Sequence, residues 1–218
     1  MTRNAIIFDH DGTLVDSIEA VVICTNNIIE RAGFQAVSPT EIKKGMAYPT
    51  AERFGYHTGV TDRSRLEDMS RDFYLNMHEE GIGHLKLYDG VSEALDALAQ
   101  NGFALGMVTN NQGLFVRKAA AQLSYAFDFE VILGEENVSR PKPDPSGLLQ
   151  ACAGMGAIPE ECWYIGDGKP DFDAARAAGM KCGLVSWGTH SREELAEYGA
   201  DKLFDRAEEM KDFFMDLK

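Results

Sequence analysis

The sequence is short of positive charge, of cysteine and of long apolar runs, and each shortage closes off a class of function. Lys and Arg number 21 against 35 Asp and Glu, a formal net charge of −14. Non-specific binding to nucleic acid or to an anionic membrane needs a basic face, so neither partner is expected. A small anionic ligand stays open, because it answers to local charge. The apolar run Ala5–Phe8 ends at Asp9, too short for a signal-peptide core and far too short to span a bilayer. Cys24, Cys152, Cys162 and Cys182 stand singly, with no Cys-x-x-Cys and no partnered histidine spacing. That pattern predicts free structural thiols in a reducing cytoplasm rather than a disulfide framework. Repeats and low-complexity tracts are missing too, and 44% apolar with 26% charged residues excludes a disordered chain.

What is present is an alternation. From Leu87 onward, apolar runs at 103–108, 129–133, 163–165, 181–185 and 202–204 read as buried strands. Helical patterns lie between them at 91–100, 113–123, 146–153, 172–178, 192–198 and 207–217. Gly102, Gly154 and Gly179 stand where helix ends favour positive φ. With a first strand at 4–8, this order predicts an α/β, Rossmann-like fold: a doubly wound parallel sheet covered on both faces. Between the first strand and Leu87 the texture changes. Ile18, Val21, Val22, Ile28 and Ile29 fall mostly on one helical face, and Leu66, Met69, Phe73 and Met77 on another. Ser38-Pro39-Thr40-Glu41 is a helix start, with a Ser cap and Pro at the first helical position. At 218 residues the chain is long for one domain, and the surplus is expected to be an all-helical cap. The domains are then a core of 1–15 plus 87–218 and a cap of 16–86, hinged near Val15–Ser17 and Lys86–Asp89.

Three polar sites directly follow apolar strands: Asp9-His10-Asp11-Gly12-Thr13, Thr109-Asn110-Asn111 and Asp167-Gly168-Lys169-Pro170-Asp171. The carboxyl ends of parallel strands share one edge, where ligands bind, so Asp9, Asp11, Thr109, Asp167 and Asp171 should converge. Lys142 sits before the Asp167 strand, between Pro141 and Pro143 in a stiff loop. Clustered carboxylates raise each other's pKa unless a cation sits among them. Oxygen ligands without His or Cys suit Mg²⁺, which keeps waters and favours phosphate oxygens. Lys142, the Thr109 hydroxyl and backbone N–H groups at Gly12 and Asn110 suit a phosphate dianion. Two carboxylates two residues apart divide into a nucleophile and an acid/base. The residues therefore point to Mg²⁺-dependent phosphoryl transfer on a small phosphorylated metabolite.

The order Asp9-x-Asp11-Gly12-Thr13-Leu14-Val15-Asp16-Ser17, Val108-Thr109-Asn110, Pro141-Lys142-Pro143 and Gly166-Asp167-x-x-x-Asp171 resembles the four motifs of the haloacid dehalogenase superfamily. The likeness covers nearly the whole chain, and the helical insertion resembles that family's small cap. Tyr88-Asp89-Gly90-Val91 and Ser186-Trp187-Gly188-Thr189 resemble its phosphoglycolate-phosphatase-like branch. The resemblance implies hydrolysis of a small phosphate monoester through an aspartyl phosphate. Asp9 is then the nucleophile and a metal ligand. Asp11 is the general acid and then base, with its carbonyl on the metal. Thr109 and Lys142 hold the phosphoryl group, and Asp167 and Asp171 are further metal ligands. Dehalogenase members, which attack carbon, lack an acid at the position of Asp11, and so do phosphonatase members.

A mutase of the β-phosphoglucomutase type shares all four motifs, and Thr13-Leu14-Val15 leans away from it. A receiver-like phosphate-sensing module would place its acids and its lysine on other strands. Two departures stand out. His10 occupies a position the family commonly fills with an apolar residue; between two Asp side chains an imidazole could tune proton transfer or contact substrate, but by strand alternation its ring is expected to point away from Asp9 and Asp11, into a packing or hydrogen-bonding role. Lys169 puts a cation beside the last motif and reads as a surface charge, as does Arg140. In the cap, Lys43, Lys44, Gly45, Tyr48, Arg53 and His57 are candidates to choose the substrate. Arg53 leads them, because a guanidinium recognises a carboxylate in two-pronged fashion.

Overall fold

The computed structural model describes residues 4–46, 48–125 and 129–217. The chain forms two compact units, Met1–Asp16 with Lys86–Lys218, and Ser17–Leu85. The first unit is built on β1 (Ala5–Phe8), all four of whose residues are buried, as a central parallel strand apolar on both faces must be. The chain then makes β2 (Val15–Asp16) and enters the second unit through α1 (Ile18–Arg31), α2 (Pro39–Gly45), α3 (Thr50–Thr58), α4 (Arg63–Glu79) and a single 3₁₀ turn at Gly81–His84. It returns at β3 (Lys86–Leu87) and alternates through α5 (Val91–Gln100), β4 (Ala104–Val108), α6 (Gly113–Gln122), β5 (Val131–Leu133), α7 (Ser146–Gly154), β6 (Trp163–Gly166), α8 (Lys169–Ala177), β7 (Lys181–Val185), α9 (Arg192–Ala196), β8 (Lys202–Phe204) and α10 (Ala207–Asp216).

Six of these strands form one sheet in the order β5-β4-β1-β6-β7-β8, and every neighbouring pair is parallel. The two edge strands are only three residues long, which limits the unpaired backbone offered to other chains. Alternation along the strands splits the core. Ile7, Tyr164 and Leu184 point to one face and pack with Leu148, Ala151 and Met155 of the α7 region and Ala174 and Ala175 of α8. On the other face, Trp163 meets Phe214 of α10 at 5.4 Å and Phe103 meets it at 6.0 Å, both edge to face. Such ring pairs add about 0.5–1.5 kcal/mol each beyond the area they bury.

Local details depart from the sequence reading in four places. The two crossings expected to be hinges pair as an antiparallel ribbon, Val15 with Leu87 and Asp16 with Lys86. The helix expected from Phe172 begins at Lys169. Gly102 and Gly179 take the left-handed turn, but Gly154 ends α7 itself and Gly156 makes the turn two residues on. Within the helical unit α3 was not foreseen. It runs between Pro49 and a left-handed Gly59, and its Phe54 packs edge to face on Phe73 of α4 at 6.1 Å. Ser38 caps α2 by accepting from the Glu41 N–H, whereas Ser17 stands at the start of α1 without a side-chain cap bond. Among the described residues, no helix is long and apolar enough to cross a membrane.

Phe214 is fully buried at the centre of the aromatic cluster. Phe214→Ala should cost about 3–5 kcal/mol of stability in urea unfolding; a loss below about 1 kcal/mol would contradict the packing described.

Candidate active site

Parallel strands run from one edge of the sheet to the other, so the residues that follow β1, β4 and β6 gather at their carboxyl ends. Asp9 follows β1, and its N–H still donates to the Ile165 carbonyl at 2.8 Å. Asp167 follows β6, and Asp171 lies in the first turn of α8. One carboxylate oxygen from each of Asp9, Asp167 and Asp171 lies within 4.8 Å of the others, and all three residues are buried. The Lys142 ammonium donates to Asp9 Oδ1 and Asp171 Oδ1, both at 2.6 Å, and to the Tyr164 hydroxyl at 2.8 Å. These four charged side chains come together as the sequence predicts.

The electrostatics follow from burial and from three anions facing one ammonium. Burial pushes the Asp9 pKa up; Lys142 pulls it back, Asp171 and Asp167 push it up again, and the result is about 7. For Lys142, burial alone would favour the neutral amine, but Asp171 and Asp9 outweigh it and hold the pKa above its usual value. Burial and Asp171 also raise Asp167, against two bonds from Thr189 that lower it. A cation among these oxygens would stabilise the ionised forms. The donor set is hard, all carboxylate, and in excess over the lone ammonium, so it fits a divalent metal held by Asp9, Asp167 and Asp171.

Supporting bonds explain why these side chains stay in place. The Asn110 amide clasps the Lys142 backbone twice, accepting from its N–H at 2.8 Å and donating to its carbonyl at 3.0 Å. Tyr164 donates from its hydroxyl to the Val108 carbonyl at 3.0 Å while accepting from Lys142. Thr189 donates to Asp167 Oδ2 through its N–H at 2.8 Å and also through its hydroxyl, and His190 Nδ1 lies 3.0 Å from the Asp167 carbonyl. Asp171 has two duties. Its Oδ2 accepts from the N–H groups of Asp167 and Gly168 at 3.2 and 3.1 Å, capping α8, while Oδ1 faces Lys142. Gly12 has φ +82°, and a Cβ there would collide with the Asp167 carboxylate; no other residue fits without strain.

Other expectations fare differently. The Gly12 N–H donates to the Val15 carbonyl at 2.9 Å, which commits the group expected to face phosphate to the turn itself. Thr109 is buried, and its hydroxyl accepts from the Asn111 N–H at 3.1 Å. Asp11 stands apart from the three-carboxylate group. Its Oδ2 accepts from Asn111 Nδ2 at 2.9 Å and lies 3.2 Å from His10 Nδ1, so the His10 ring does not turn away from the acids. Lys169 pairs with Asp173 and Arg140 with Asp144, both cations exposed. In the helical unit, Lys44 pairs with Glu41, and exposed Tyr48 stacks on Tyr56 at 5.3 Å. Arg53, on α3, is buried with its guanidinium 4.6 Å from the Phe73 ring centre, and among the described residues Nε and Nη2 have no hydrogen-bond partner. Burial lowers its pKa to about 10. Asn111 and Thr189 stand in stretches the sequence marks, Thr109-Asn110-Asn111 and Ser186-Trp187-Gly188-Thr189, without a role assigned to either, and Tyr164 and His190 carry no motif signal.

A parallel α/β sheet with buried carboxylates and a buried lysine at its carboxyl edge is the class of fold that binds ligands at its strand ends, here with an acidic cluster compatible with a divalent metal. More narrowly, this chain belongs to the haloacid dehalogenase-like hydrolase family, whose model matches residues 6–185. An N-acetylmuramic acid 6-phosphate phosphatase from Pseudomonas aeruginosa is 31% identical over 97% of this chain and 95% of its own. A phosphoglycolate phosphatase from Xylella fastidiosa is 30% identical over 87% of this chain and 82% of its own. The solved structure of a haloacid dehalogenase-like family hydrolase from Streptococcus pneumoniae superposes with a TM-score of 0.85, covering 97% of this chain and 98% of that one. At 23% identity it bears on the fold alone. The family generally uses a divalent metal, and the buried carboxylate group is compatible with one.

The Asp9 shift gives a signed pH dependence. With its pKa raised from 3.8 to about 7, folded Asp9 binds its proton more tightly than unfolded Asp9. Across that window the folded state holds more protons, so its contribution to stability falls as pH rises. A divalent cation prefers the ionised cluster. The rise in melting temperature on replacing chelator by divalent cation should therefore be larger at pH 7.5 than at pH 5, and smaller in Asp9→Asn at both. An equal rise at the two pH values would contradict this account.

Proposed function

We propose that this chain is a Mg²⁺-dependent phosphatase that hydrolyses a small phosphate monoester carrying a carboxylate, through a phosphoryl group carried on Asp9. The observation that carries the reading is the buried Lys142–Asp9–Asp171 arrangement at the sheet's carboxyl edge. A carboxylate oxygen held beside an ammonium is aimed rather than free, and the same ammonium can meet the negative phosphoryl oxygens. Mg²⁺, held by Asp9, Asp167 and Asp171 with the Asp11 carbonyl, would supply positive charge to those oxygens when bound.

An Asp9 carboxylate oxygen attacks phosphorus, and the bond from phosphorus to the ester oxygen breaks. Asp11 delivers its proton to that departing oxygen, giving the free alcohol. Water then attacks the phosphoryl group on Asp9 and gives a proton to Asp11; the bond between phosphorus and the Asp9 oxygen breaks, releasing inorganic phosphate and restoring the Asp9 carboxylate and the protonated Asp11. Thr109, with Lys142, binds the phosphoryl oxygens. Asn110 contributes by holding the Lys142 backbone, and Gly12 by its close turn under Asp167 rather than by its N–H.

The substrate class rests on two supports. The names of the two relatives denote molecules of different size, yet each is a phosphate ester of an acid. Arg53 is a buried guanidinium with two unpartnered N–H positions, an arrangement that costs free energy unless an anion fills it. Arg53 is read as the group that takes the substrate's carboxylate. The free, buried thiols suit a reducing cytoplasm.

Phosphate release from a panel of monoesters, with and without Mg²⁺, tests the reading. Hydrolysis of carboxylated esters should need the metal, and Asp9→Asn should lower turnover about a thousandfold or more. Turnover that survives Asp9→Asn, or sugar phosphates interconverted without phosphate release, would overturn it. Arg53→Ala should raise KM for a carboxylated ester about tenfold to a hundredfold, the worth of a charge-assisted bond, with KM for p-nitrophenyl phosphate within about threefold. Equal effects on both esters would remove Arg53 from recognition.

A further inference from the structure

Asp11 is less enclosed than Asp9 and Asp171. Its side chain is 28% exposed, against 10% for Asp9 and 5% for Asp171. An open carboxylate spreads over several rotamers, and a proton donor misplaced by even an ångström loses much of its effect. Asn111 and His10 both meet it. Asn111 donates to Oδ2 at 2.9 Å, and His10 Nδ1 stands 3.2 Å from the same oxygen, close but short of an in-line hydrogen bond. The far side of the His10 ring is anchored, with Nε2 2.8 Å from the Tyr125 hydroxyl. His10 and Tyr125 are both fully buried.

The proton pattern of this chain of groups can be argued from its ends. Oδ2 of Asp11 already accepts from Asn111, which leaves the acid's proton to Oδ1; an imidazole lone pair 3.2 Å from Oδ2 would repel it, so Nδ1 carries the N–H and faces Asp11. Nε2 then accepts from Tyr125. Burial pushes the Tyr125 pKa up, so the hydroxyl keeps the proton it donates. A histidine whose two ring nitrogens are matched to a buried hydroxyl and to a carboxylate is oriented on both sides. An apolar residue at this position could fill the volume and do neither.

We infer that His10, fixed from behind by Tyr125, is a positioning residue that holds the Asp11 carboxylate for proton delivery to the leaving oxygen. The inference rests on the reading of Asp11 as the acid of a phosphatase. It separates from simple packing because only some leaving groups need a proton. An alkoxide does; p-nitrophenolate departs without one.

The test is kcat/KM for a carboxylated alkyl phosphate and for p-nitrophenyl phosphate in the Mg²⁺-loaded full-length enzyme. Asp11→Asn sets the reference and should lose far more on the alkyl ester than on the aryl ester. His10→Leu should lose about tenfold on the alkyl ester, through kcat with KM little changed, and about twofold or less on the aryl ester. Tyr125→Phe, which removes one hydroxyl and leaves the ring, should follow in the same sense by about threefold; it decides the matter if His10→Leu does not fold. If Asp11→Asn shows no leaving-group dependence, the assignment of the acid itself falls. If Asp11→Asn shows it while both other variants lower the two esters equally, or neither, the positioning role is overturned.

Discussion

The Lys142 ammonium, 2.6 Å from Asp9 and from Asp171 and 2.8 Å from the Tyr164 hydroxyl, is the interaction on which the site depends. An isolated carboxylate taken out of water costs several kcal/mol even after relaxation, and three are gathered here within 4.8 Å. Burial lifts Asp9 most, Lys142 pulls it back, and Asp171 and Asp167 push it up again to about 7; one ammonium leaves part of the negative charge of three carboxylates uncompensated. Residual charge of this kind is compatible with a divalent metal among the three carboxylates.

The fold supplies this arrangement with little slack. β1 is the central strand, flanked by β4 and β6, so Asp9 has a strand end on either side of it. The loop that carries Lys142 enters from farther along the chain and is fastened by the Asn110 amide at both backbone groups. Asp167 is held by Thr189 and overlies Gly12, with Gly188 so close that a Cβ there would collide with the Gly12 carbonyl. Asp171 joins the charge cluster to the first turn of α8, where the helix dipole favours its negative charge.

Much of this was legible in the sequence because strand ends and helix caps have local signatures. The first apolar run at 4–8 and the alternation after Leu87 place every strand of the main sheet to within a residue or two, and the polar stretches after β1, β4 and β6 mark the residues that meet. The Ser38-Pro39 start of α2 was readable for the same reason. What was not legible depends on contacts between distant segments. Tyr164 reads as a strand residue until Lys142 is seen against its hydroxyl. Thr189 and Asn111 become partners of Asp167 and Asp11 only through long-range closure. His10 was misjudged by strand alternation, because the chain has already left β1 at Asp9 and turns at once: the N–H groups of Leu14 and Val15 both donate to the His10 carbonyl. The same turn takes the Gly12 N–H, which the motif alone had offered to phosphate.

Asp9 is the centre of the proposed function: a carboxylate held beside Lys142, whose oxygen would receive the phosphoryl group. Rapid acid quench of the Mg²⁺-loaded enzyme during turnover, followed by mass analysis of its peptides, tests this most directly. The account predicts one added phosphoryl group on the peptide that contains Asp9, lost on mild base treatment as an acyl phosphate is. Continued phosphate release with no modified Asp9 peptide at any quench time, or with the phosphoryl group on another residue, would contradict it.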